Sequence, residues 1–401
     1  MSPALGTFLL LLALNLLNYI DRYILAGEVQ PIQHEFHASD EQMGALATAF
    51  FVFYMLAAPL TGWLGDRFRR KPLIITGAVL WSLATLAALW IHSYTTLYLR
   101  QALVGIGEAT FGIFAPAVLS DFYPERERNR VLSVFYVAIP VGAALGYLAG
   151  GEIGSHWGWR TPFFACALPG FLVAVLYGWL GCEPERGASD HIQPTLNRNT
   201  VLGLFTNPGF LTATFGLATL TFAMGGISWW MPEFLRRSAG MSMGTASLTV
   251  GATTVIDGIA GTLVGGWIAQ IWLRTNHRAL YLLSAWSVAL TLPCGVLLFF
   301  GPRSWAVPSL FAAEFFLFLN TGPLNTAIVN SVAAPVRATA ISINLFCIHF
   351  FGDTFSPQII GAISDRTNLS IGLGATLVFL VLSCTILLTG ARHAPVLDEG
   401  A

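Results

Sequence analysis

The chain has 401 residues, of which 55% are hydrophobic and 10% charged, and its formal net charge at pH 7 is -1. About 25% of the residues of a typical soluble domain are charged, so this composition excludes an ordinary soluble fold. The near-neutral charge also argues against a nucleic-acid partner, which would require a basic surface. The mean hydropathy of +0.66 indicates that lipid is the solvent for most of the outer surface.

Apolar segments long enough to cross a bilayer recur along the whole chain. A membrane-spanning helix needs about 20 predominantly apolar residues, and turn residues and charges mark its ends. The first segment lacks the basic start and the small-residue cleavage site of a signal peptide, so we expect it to be retained. Twelve spans are predicted, at residues 6–27, 43–64, 73–92, 96–118, 131–152, 160–181, 207–232, 244–269, 279–300, 306–330, 338–360 and 370–391.

A long polar stretch between the sixth and seventh spans divides the chain into halves. We predict an N-terminal six-helix bundle at 1–181, a cytoplasmic linker at 182–206 and a C-terminal six-helix bundle at 207–401. Lys and Arg concentrate on the side that holds both termini and the linker, which places that side in the cytoplasm. The predicted fold class is an all-α membrane protein whose two six-helix bundles have the organisation of major facilitator transporters.

The loop after the second span reads GWLGDRFRRK, from Gly62 to Lys71. It resembles the G-x-x-x-D-R-x-x-R-[RK] signature of the major facilitator superfamily, which implies a gating role for the group Gly62, Asp66, Arg67 and Arg70. Gly62 is expected to allow close helix approach, and Asp66 to accept hydrogen bonds at the start of a neighbouring helix. Arg67 and Arg70 are expected to pair with acids of the next bundle. The alternative is a cluster of positive charges that only orients the chain.

Glycines recur every four residues in the predicted fifth span. Gly142, Gly146 and Gly150 therefore share one smooth helix face. The segment resembles the glycine-rich fifth-helix motif associated with antiporters, which implies an exchange mechanism. Plain packing of small residues against a neighbouring helix is the alternative interpretation.

Several segments together resemble the spinster family within that superfamily. They are NYIDRY, LVGIGEA, FYVAIPVGAALGY, FLNTGPLN, RATAISIN and H-x-x-G-D-x-x-S-P, and they occur in both halves of the chain. The resemblance implies export of lysosphingolipids or lysophospholipids, with proton coupling in some members. One departure concerns the family arginine seven residues before Glu108. That position holds Gln101, and the arginine is Arg100, about 100° away around the helix.

Ionisable and polar residues inside the predicted spans are the candidate site residues. A charge at the bilayer centre costs at least ~2.5 kcal/mol, so such residues usually face a cavity or a partner. Asp21, Arg22 and Glu108 are predicted to form one proton-coupling cluster, and Asp257 is an additional acid without a family counterpart. Each could instead form a buried structural bond. The predicted substrate-binding residues are Asn18, Tyr19, Arg22, Arg100, Gln101, Glu314, Asn320, Asn344, His349 and Asp353.

These features predict a secondary active transporter that works by alternating access and moves an amphiphilic lysolipid-like substrate. The expected partners are that substrate, protons and membrane lipids, and we expect a monomer in a bacterial inner membrane without cofactor or metal. A carrier of a small soluble metabolite or drug is the first alternative, and a non-transporting membrane sensor is the second. A membrane-embedded enzyme is disfavoured, because neither a catalytic set nor a phosphate-binding loop is present in the sequence.

Overall fold

The computed structural model describes residues 2–123, 125–185, 202–332 and 336–395. For residue 66, residues 125–130 and residues 337–338 it describes the backbone alone. Within these ranges the secondary structure is helical, with no strand.

The helices of the first half alternate long apolar segments with short connections. Their bounds are Pro3–Ile24, Val29–Phe36, Asp40–Arg67, Arg70–Leu86, Tyr94–Phe122, Glu125–Tyr136, Ala138–Leu148, Gly154–Trp157 and Thr161–Leu180. The second half repeats this arrangement with Pro208–Ala239, Met243–Leu273, Ala279–Phe300, Ala306–Leu319, Thr321–Asn330, Arg337–Ile348, Ser356–Arg366, Leu369–Gly374 and Thr376–Gly390.

Eleven of the described helical segments are long and apolar enough to cross a membrane. We name them spans 1 to 10 and span 12, in chain order. Their bounds are Pro3–Gly27, Asp40–Gly65, Arg70–Trp90, Tyr94–Phe122, Val131–Trp157, Thr161–Leu180, Pro208–Ala239, Met243–Leu273, Ala279–Phe300, Arg303–Asn330 and Leu369–His393.

The remaining predicted span, 338–360, is an interrupted helix. Arg337–Ile348 and Ser356–Arg366 are joined through a π-helical turn at His349–Asp353, so neither piece alone reaches the length of a bilayer. We name Arg337–Arg366 span 11. At the interruption a Cβ on Gly352 would lie 2.9 Å from the carbonyl oxygen of Ala218, so only glycine allows this approach to span 7. With span 11 the order of helices is that of the predicted twelve-helix fold.

The chain divides into two compact units. Unit 1 comprises Met1–Gln193 together with Met241–Gly251, and unit 2 comprises Pro194–Gly240 together with Ala252–Ala401. The start of span 8 is thus grouped with unit 1 and the rest of it with unit 2. Most of the predicted linker at 182–206 lies outside the described residues.

Large apolar side chains are distributed as expected for a protein surrounded by lipid. The interior of unit 1 is built from side chains such as Leu14, Trp81 and Phe111, which are at most 2% exposed. Equally apolar side chains cover the outer surface, including Trp179 at 80% and Leu56 at 68% exposure. A soluble domain rarely presents so much continuous apolar surface, so the structure agrees with the composition.

The glycine face of span 5 lies directly against span 1. A Cβ on Gly142 would come within 2.5 Å of the Tyr19 Cβ, and one on Gly150 within 2.4 Å of the Ile24 carbonyl oxygen. Absence of side chains therefore lets the two backbones approach closely, as in other small-residue helix interfaces. The packing interpretation of this motif is confirmed, whereas its association with antiport stays a prediction.

Candidate functional site

Arg22 and Glu108 form an ion pair inside unit 1. Arg22 lies near the end of the span 1 helix, and its Nη2 donates to Oε2 of Glu108 on span 4 over 2.7 Å. The Glu108 side chain is fully buried and that of Arg22 is 19% exposed. A carboxylate so deeply buried is stable in its charged form only with such a partner.

Aromatic rings surround the Arg22 guanidinium. Its Cζ lies 4.8 Å from the ring centre of Tyr19 and 4.7 Å from that of Phe50. Tyr54 is further away, at 6.0 Å. Such rings attract a cation through their quadrupoles. The Nε of Arg22 is buried and has no hydrogen-bond partner among the described residues, so the guanidinium retains unused donor capacity.

Asp21 belongs to a second ion pair, made with Arg100. Its Oδ1 accepts from Arg100 Nη2 over 3.2 Å, and its Oδ2 accepts from the Thr85 hydroxyl. Asp21 is 3% and Arg100 4% exposed. The predicted proton-coupling cluster of Asp21, Arg22 and Glu108 thus consists of two ion pairs, Arg22–Glu108 and Asp21–Arg100, and its coupling role stays a prediction. Adjacent residues of a helix point about 100° apart, so Asp21 and Arg22 reach different neighbours.

Arg100 has a complete set of partners despite its displacement by one residue. Besides Asp21, its Nε donates to the Ala84 carbonyl oxygen over 3.2 Å, its Nη1 donates to Gln101 Oε1, and its Cζ lies 4.5 Å from the Phe163 ring centre. Every described contact of this guanidinium is made inside unit 1. Arg100 thus holds span 1 to spans 3, 4 and 6, and Gln101 is its partner.

The other predicted residues of span 1 occupy the same buried region. Asn18 lies one helical turn before Arg22 and is 3% exposed, and Tyr19 contributes one of the rings around Arg22. The structure therefore brings together all the N-terminal residues that the sequence selected, although as two ion pairs.

The C-terminal candidates belong to unit 2 and lie in separate small groups. His349 Nδ1 lies 3.0 Å from Asp353 Oδ1, within the π-helical turn of span 11. Asn320 donates to the Leu317 carbonyl oxygen over 2.7 Å at the break in span 10, and Asn344 is 3% exposed. Glu314 Oε1 on span 10 accepts a hydrogen bond from Thr254 of span 8 over 3.4 Å.

The loop motif after span 2 departs from its predicted contacts at two positions. Arg70 Nη1 pairs with Asp121 Oδ2 at 2.5 Å, inside its own unit, instead of with an acid of the next bundle. A Cβ on Gly62 would meet no described atom within 4 Å, whereas one on Gly65 would lie 2.1 Å from Phe114. The close helix approach is therefore made at Gly65, because that glycine, one helical turn later, faces span 4.

An acid that the sequence analysis did not select accepts hydrogen bonds at the start of the helix that follows this motif. Glu183 Oε1 accepts from the Arg70 backbone nitrogen over 2.6 Å, and its Oε2 from that of Lys71 over 3.3 Å. These groups start the helix Arg70–Leu86, where the dipole favours an anion. The Asp66 side chain lies outside the description, and Arg67 lies 4.0 Å from the Trp63 ring centre.

Comparison with known proteins is consistent with this arrangement. A family model described as Major Facilitator Superfamily matches residues 11–357. Protein spinster homolog 1 of Xenopus tropicalis is 34% identical over 389 residues, which cover 89% of this chain and 72% of that protein. This chain belongs to the spinster family of the major facilitator superfamily. The predicted family is thereby confirmed.

Two further relatives bear on function and fold. The sphingosine-1-phosphate transporter SPNS2 of Danio rerio is 32% identical over 400 residues, which cover 93% of this chain and 79% of the relative. A solved bacterial homolog of the human lysosomal transporter spinster, inward-facing and unoccupied, gives a TM-score of 0.87 at 22% identity over 98% of both chains. The spinster-family chain is therefore an integral multi-pass membrane transporter, not an enzyme, and the predicted major facilitator fold is confirmed.

Several partners of the site in this spinster-family chain were missed from sequence, among them Thr85, Phe163 and Glu183. Thr85 and Phe163 complete the surroundings of the Asp21 pair, and Glu183 completes the loop motif. Thr85 and Phe163 are residue types that abound in spans, so nothing in the sequence distinguishes them. Glu183 could have been found from sequence, because it is an acid shortly after span 6 on the side of the membrane predicted to hold the basic loop Gly62–Lys71.

Proposed function

We propose that this protein is a secondary active transporter that moves an amphiphilic lysolipid-like molecule with an anionic headgroup, coupled to protons. The substrate class is supported by the name of the relative that transports sphingosine-1-phosphate, a lipid with one chain and a charged head. The mechanism would be alternating access, in which two bundles rock about a central site.

The observation that carries the proposal is the state of the Arg22 guanidinium. The guanidinium donates a hydrogen bond to Glu108 and lies against aromatic rings such as that of Phe50. Its buried Nε has no hydrogen-bond partner among the described residues. When Glu108 is ionised, Arg22 is paired with it. When Glu108 takes up a proton, the arginine is released to bind an anionic headgroup. A charge-assisted hydrogen bond contributes about 1.5–3 kcal/mol, which biases a two-state equilibrium at least about tenfold.

The Asp21–Arg100 pair would provide a second, more deeply buried switch of the same kind. Protonation of Asp21 removes the charge that holds Arg100 Nη2, and this loosens the attachment of span 1 to span 4. The loop residues Asp66, Arg67 and Arg70 keep their proposed gating role at the cytoplasmic side. Asn320, Asn344, His349 and Asp353 are the proposed substrate contacts of unit 2.

Flux measurements in proteoliposomes test the proposal. A pH gradient should drive transport of sphingosine-1-phosphate or a lysophospholipid. Glu108→Gln should abolish the pH-driven component while substrate binding stays measurable, and Asp21→Asn should act in the same direction. Glu35→Gln is the matched control, because Glu35 pairs with Arg160 at the end of the bundle, and it should retain flux.

Two results would count against the proposal. If Glu108→Gln and Asp21→Asn both retain full pH-driven flux, these acids are structural and coupling lies elsewhere. If hydrophilic solutes rather than lysolipids are transported in the same assay, the protein is a carrier of soluble metabolites and the lipid assignment is wrong.

A further inference from the structure

Unit 2 contains two buried acids that the proposed mechanism does not use. Asp257 on span 8 is 0% exposed and Glu314 on span 10 is 6% exposed. The two carboxyl groups are close enough to interact electrostatically. Both belong to unit 2, so this pair is separate from the Arg22–Glu108 and Asp21–Arg100 pairs of unit 1.

The two acids lie where spans 8 and 10 come into close contact. A Cβ on Gly261 would lie 2.7 Å from the Phe315 carbonyl oxygen, and Phe315 directly follows Glu314. Asp257 stands one helical turn before Gly261 and so lies along the same face. The close approach of the backbones holds both carboxyl groups inside the helix interface.

Hydroxyl groups are the described hydrogen-bond partners of this pair. Thr254 Oγ1 donates to Glu314 Oε1 over 3.4 Å, and Thr253 also hydrogen-bonds to that carboxyl group. Both oxygens of Asp257, and Oε2 of Glu314, have no partner among the described residues. The unpartnered Asp257 carboxylate, fully enclosed and beside Glu314, is what distinguishes this pair from a satisfied structural network.

Neighbouring helices supply no described cation to neutralise these charges. On span 7, Arg236 and Arg237 are both bonded to Glu233, and span 9 contributes Tyr281 and Cys294 as its titratable groups. Arg303 stands 11 positions before Glu314 at the start of span 10, about 16 Å away along a helix at 1.5 Å per residue. The pair therefore lacks the guanidinium that both acids of unit 1 possess.

Two adjacent carboxylates cannot both stay ionised at such a place without a counter-charge. Desolvation penalises each charge by several kcal/mol, and the like charges repel each other. Carboxylate and hydroxyl oxygens are hard ligands of the kind that hard cations prefer. Intramembrane acids of transporters commonly mark ion or proton paths.

We infer that Asp257 and Glu314, with the hydroxyl groups of Thr253 and Thr254, form a second cation-binding site that takes up H⁺ or Na⁺. In the proton form, one of the two carboxyl groups holds a proton. In the sodium form, the carboxylate and hydroxyl oxygens coordinate the ion. This assigns Glu314 to cation binding instead of to the substrate contacts predicted from sequence.

Two binding measurements on the purified full chain in detergent test the inference without transport. Infrared difference spectra at neutral pH report the C=O stretch of protonated carboxylic acids. Thermal unfolding in NaCl against choline chloride reports sodium binding, since an ion that binds only the folded state raises its unfolding temperature. The variants are Asp257→Asn and Glu314→Gln, with Ser309→Ala on span 10 as a matched control for a buried polar change.

The infrared and thermal-unfolding measurements distinguish a bound proton from a bound sodium ion. If a proton occupies the site, the variant that removes the proton-bearing carboxyl group loses the absorbance of one protonated acid relative to the wild type, and Ser309→Ala does not. If sodium occupies it, the wild type shows a sodium-dependent rise in unfolding temperature that both variants lose. The inference is overturned if the acid band is unchanged and sodium has no effect, or if either signal persists in both variants. These results do not depend on whether Glu108 couples transport.

Discussion

At the scale of single residues, the buried charges of unit 1 are arranged as pairs whose members come from different spans. Arg22 pairs with Glu108 and Asp21 with Arg100. Removing one member would leave an uncompensated buried charge, which typically costs about 3–5 kcal/mol. Proton uptake by either acid has the same electrostatic consequence, which is why these pairs are suited to couple protonation to helix movement.

Glu28, directly after span 1, is a buried acid with no cationic partner among the residues that the structure describes. It is 1% exposed, its Oε1 lacks a described hydrogen-bond partner, and its carboxyl group lies against Gly154. Burial raises the pKa of Glu28 from its ordinary 4.5 to about 9. Between these values the folded protein keeps the proton and the unfolded chain loses it. The folded state therefore loses stability as pH rises from about 4.5 to 9, by up to about 1.4 kcal/mol per pH unit.

Glu28→Gln should remove this dependence. We expect the variant to be more stable than the wild type by a margin that is larger at pH 8 than at pH 5, measured by thermal unfolding in detergent. Glu35→Gln is the control of opposite sign, because the hydrogen bond from Arg160 lowers the pKa of Glu35 to about 2, so its contribution is lost only as pH falls below about 4.5. Equal margins for Glu28→Gln at both pH values would contradict the assignment.

At the scale of elements, spans 5, 10 and 11 are among those whose helical backbone is interrupted. Span 5 contains a π-helical turn at Ala149–Ile153, span 10 breaks at Asn320, and span 11 contains the π-helical turn at His349–Asp353. Such turns occur frequently at functional sites. Two of the three interruptions carry predicted substrate-binding residues, which connects irregular backbone with the proposed site.

Close contact between spans 1 and 5 should depend on the absence of a side chain at Gly146. A Cβ there would lie 2.6 Å from the Ile20 carbonyl oxygen and 2.8 Å from the Tyr23 Cβ. We expect Gly146→Ala to lower the free energy of unfolding by about 1–3 kcal/mol, as overpacking typically does, measured by unfolding in detergent.

Gly178 on span 6 is the matched control for this change. Its nearest neighbour to an added Cβ is Ile75 Cδ1 at 3.5 Å, an ordinary contact. Gly178→Ala should therefore be neutral, or stabilising by about 0.5–1 kcal/mol, because alanine is the better helix former. Equal destabilisation by both substitutions would show that the Gly146 interface tolerates a methyl group.

At the scale of the whole molecule, the distribution of charged residues and apolar surface is that of a protein embedded in a bilayer. The described helices expose large apolar side chains along their length, while Lys and Arg concentrate in the loops of the side predicted to be cytoplasmic. Since loop charges of this kind set orientation during insertion, the whole chain is expected to have both termini inside.

Cysteine labelling from outside the cell tests that orientation. In a background without the five native cysteines, a membrane-impermeant thiol reagent should label a single cysteine at Ser238, near the end of span 7, and should not label one at Ser189. Ser189 lies outside the described residues, in the predicted cytoplasmic linker. Permeabilised cells provide the control, because both positions should then react. Labelling of Ser189 alone in intact cells would reverse the predicted topology.

The sequence by itself determined the class of protein, the order of its spans and its family. Bilayer thickness imposes a minimum apolar length on a spanning helix, so each span can be predicted from its own residues. Family motifs such as NYIDRY and LVGIGEA can likewise be recognised without knowledge of the fold. The sequence predicted span 11 as one uninterrupted segment, because its composition stays largely apolar across the π-helical turn. The turn itself was not predicted.

Only the tertiary structure decided which residues meet. Asp21 and Arg22 are neighbours in sequence but bind different spans, Arg70 finds Asp121 in its own unit, and Gly65 rather than Gly62 contacts span 4. Each outcome depends on the rotation of a helix about its axis, where one residue changes the direction by about 100°. That rotation is set by the packing of all neighbouring helices together, and no single segment of sequence contains it.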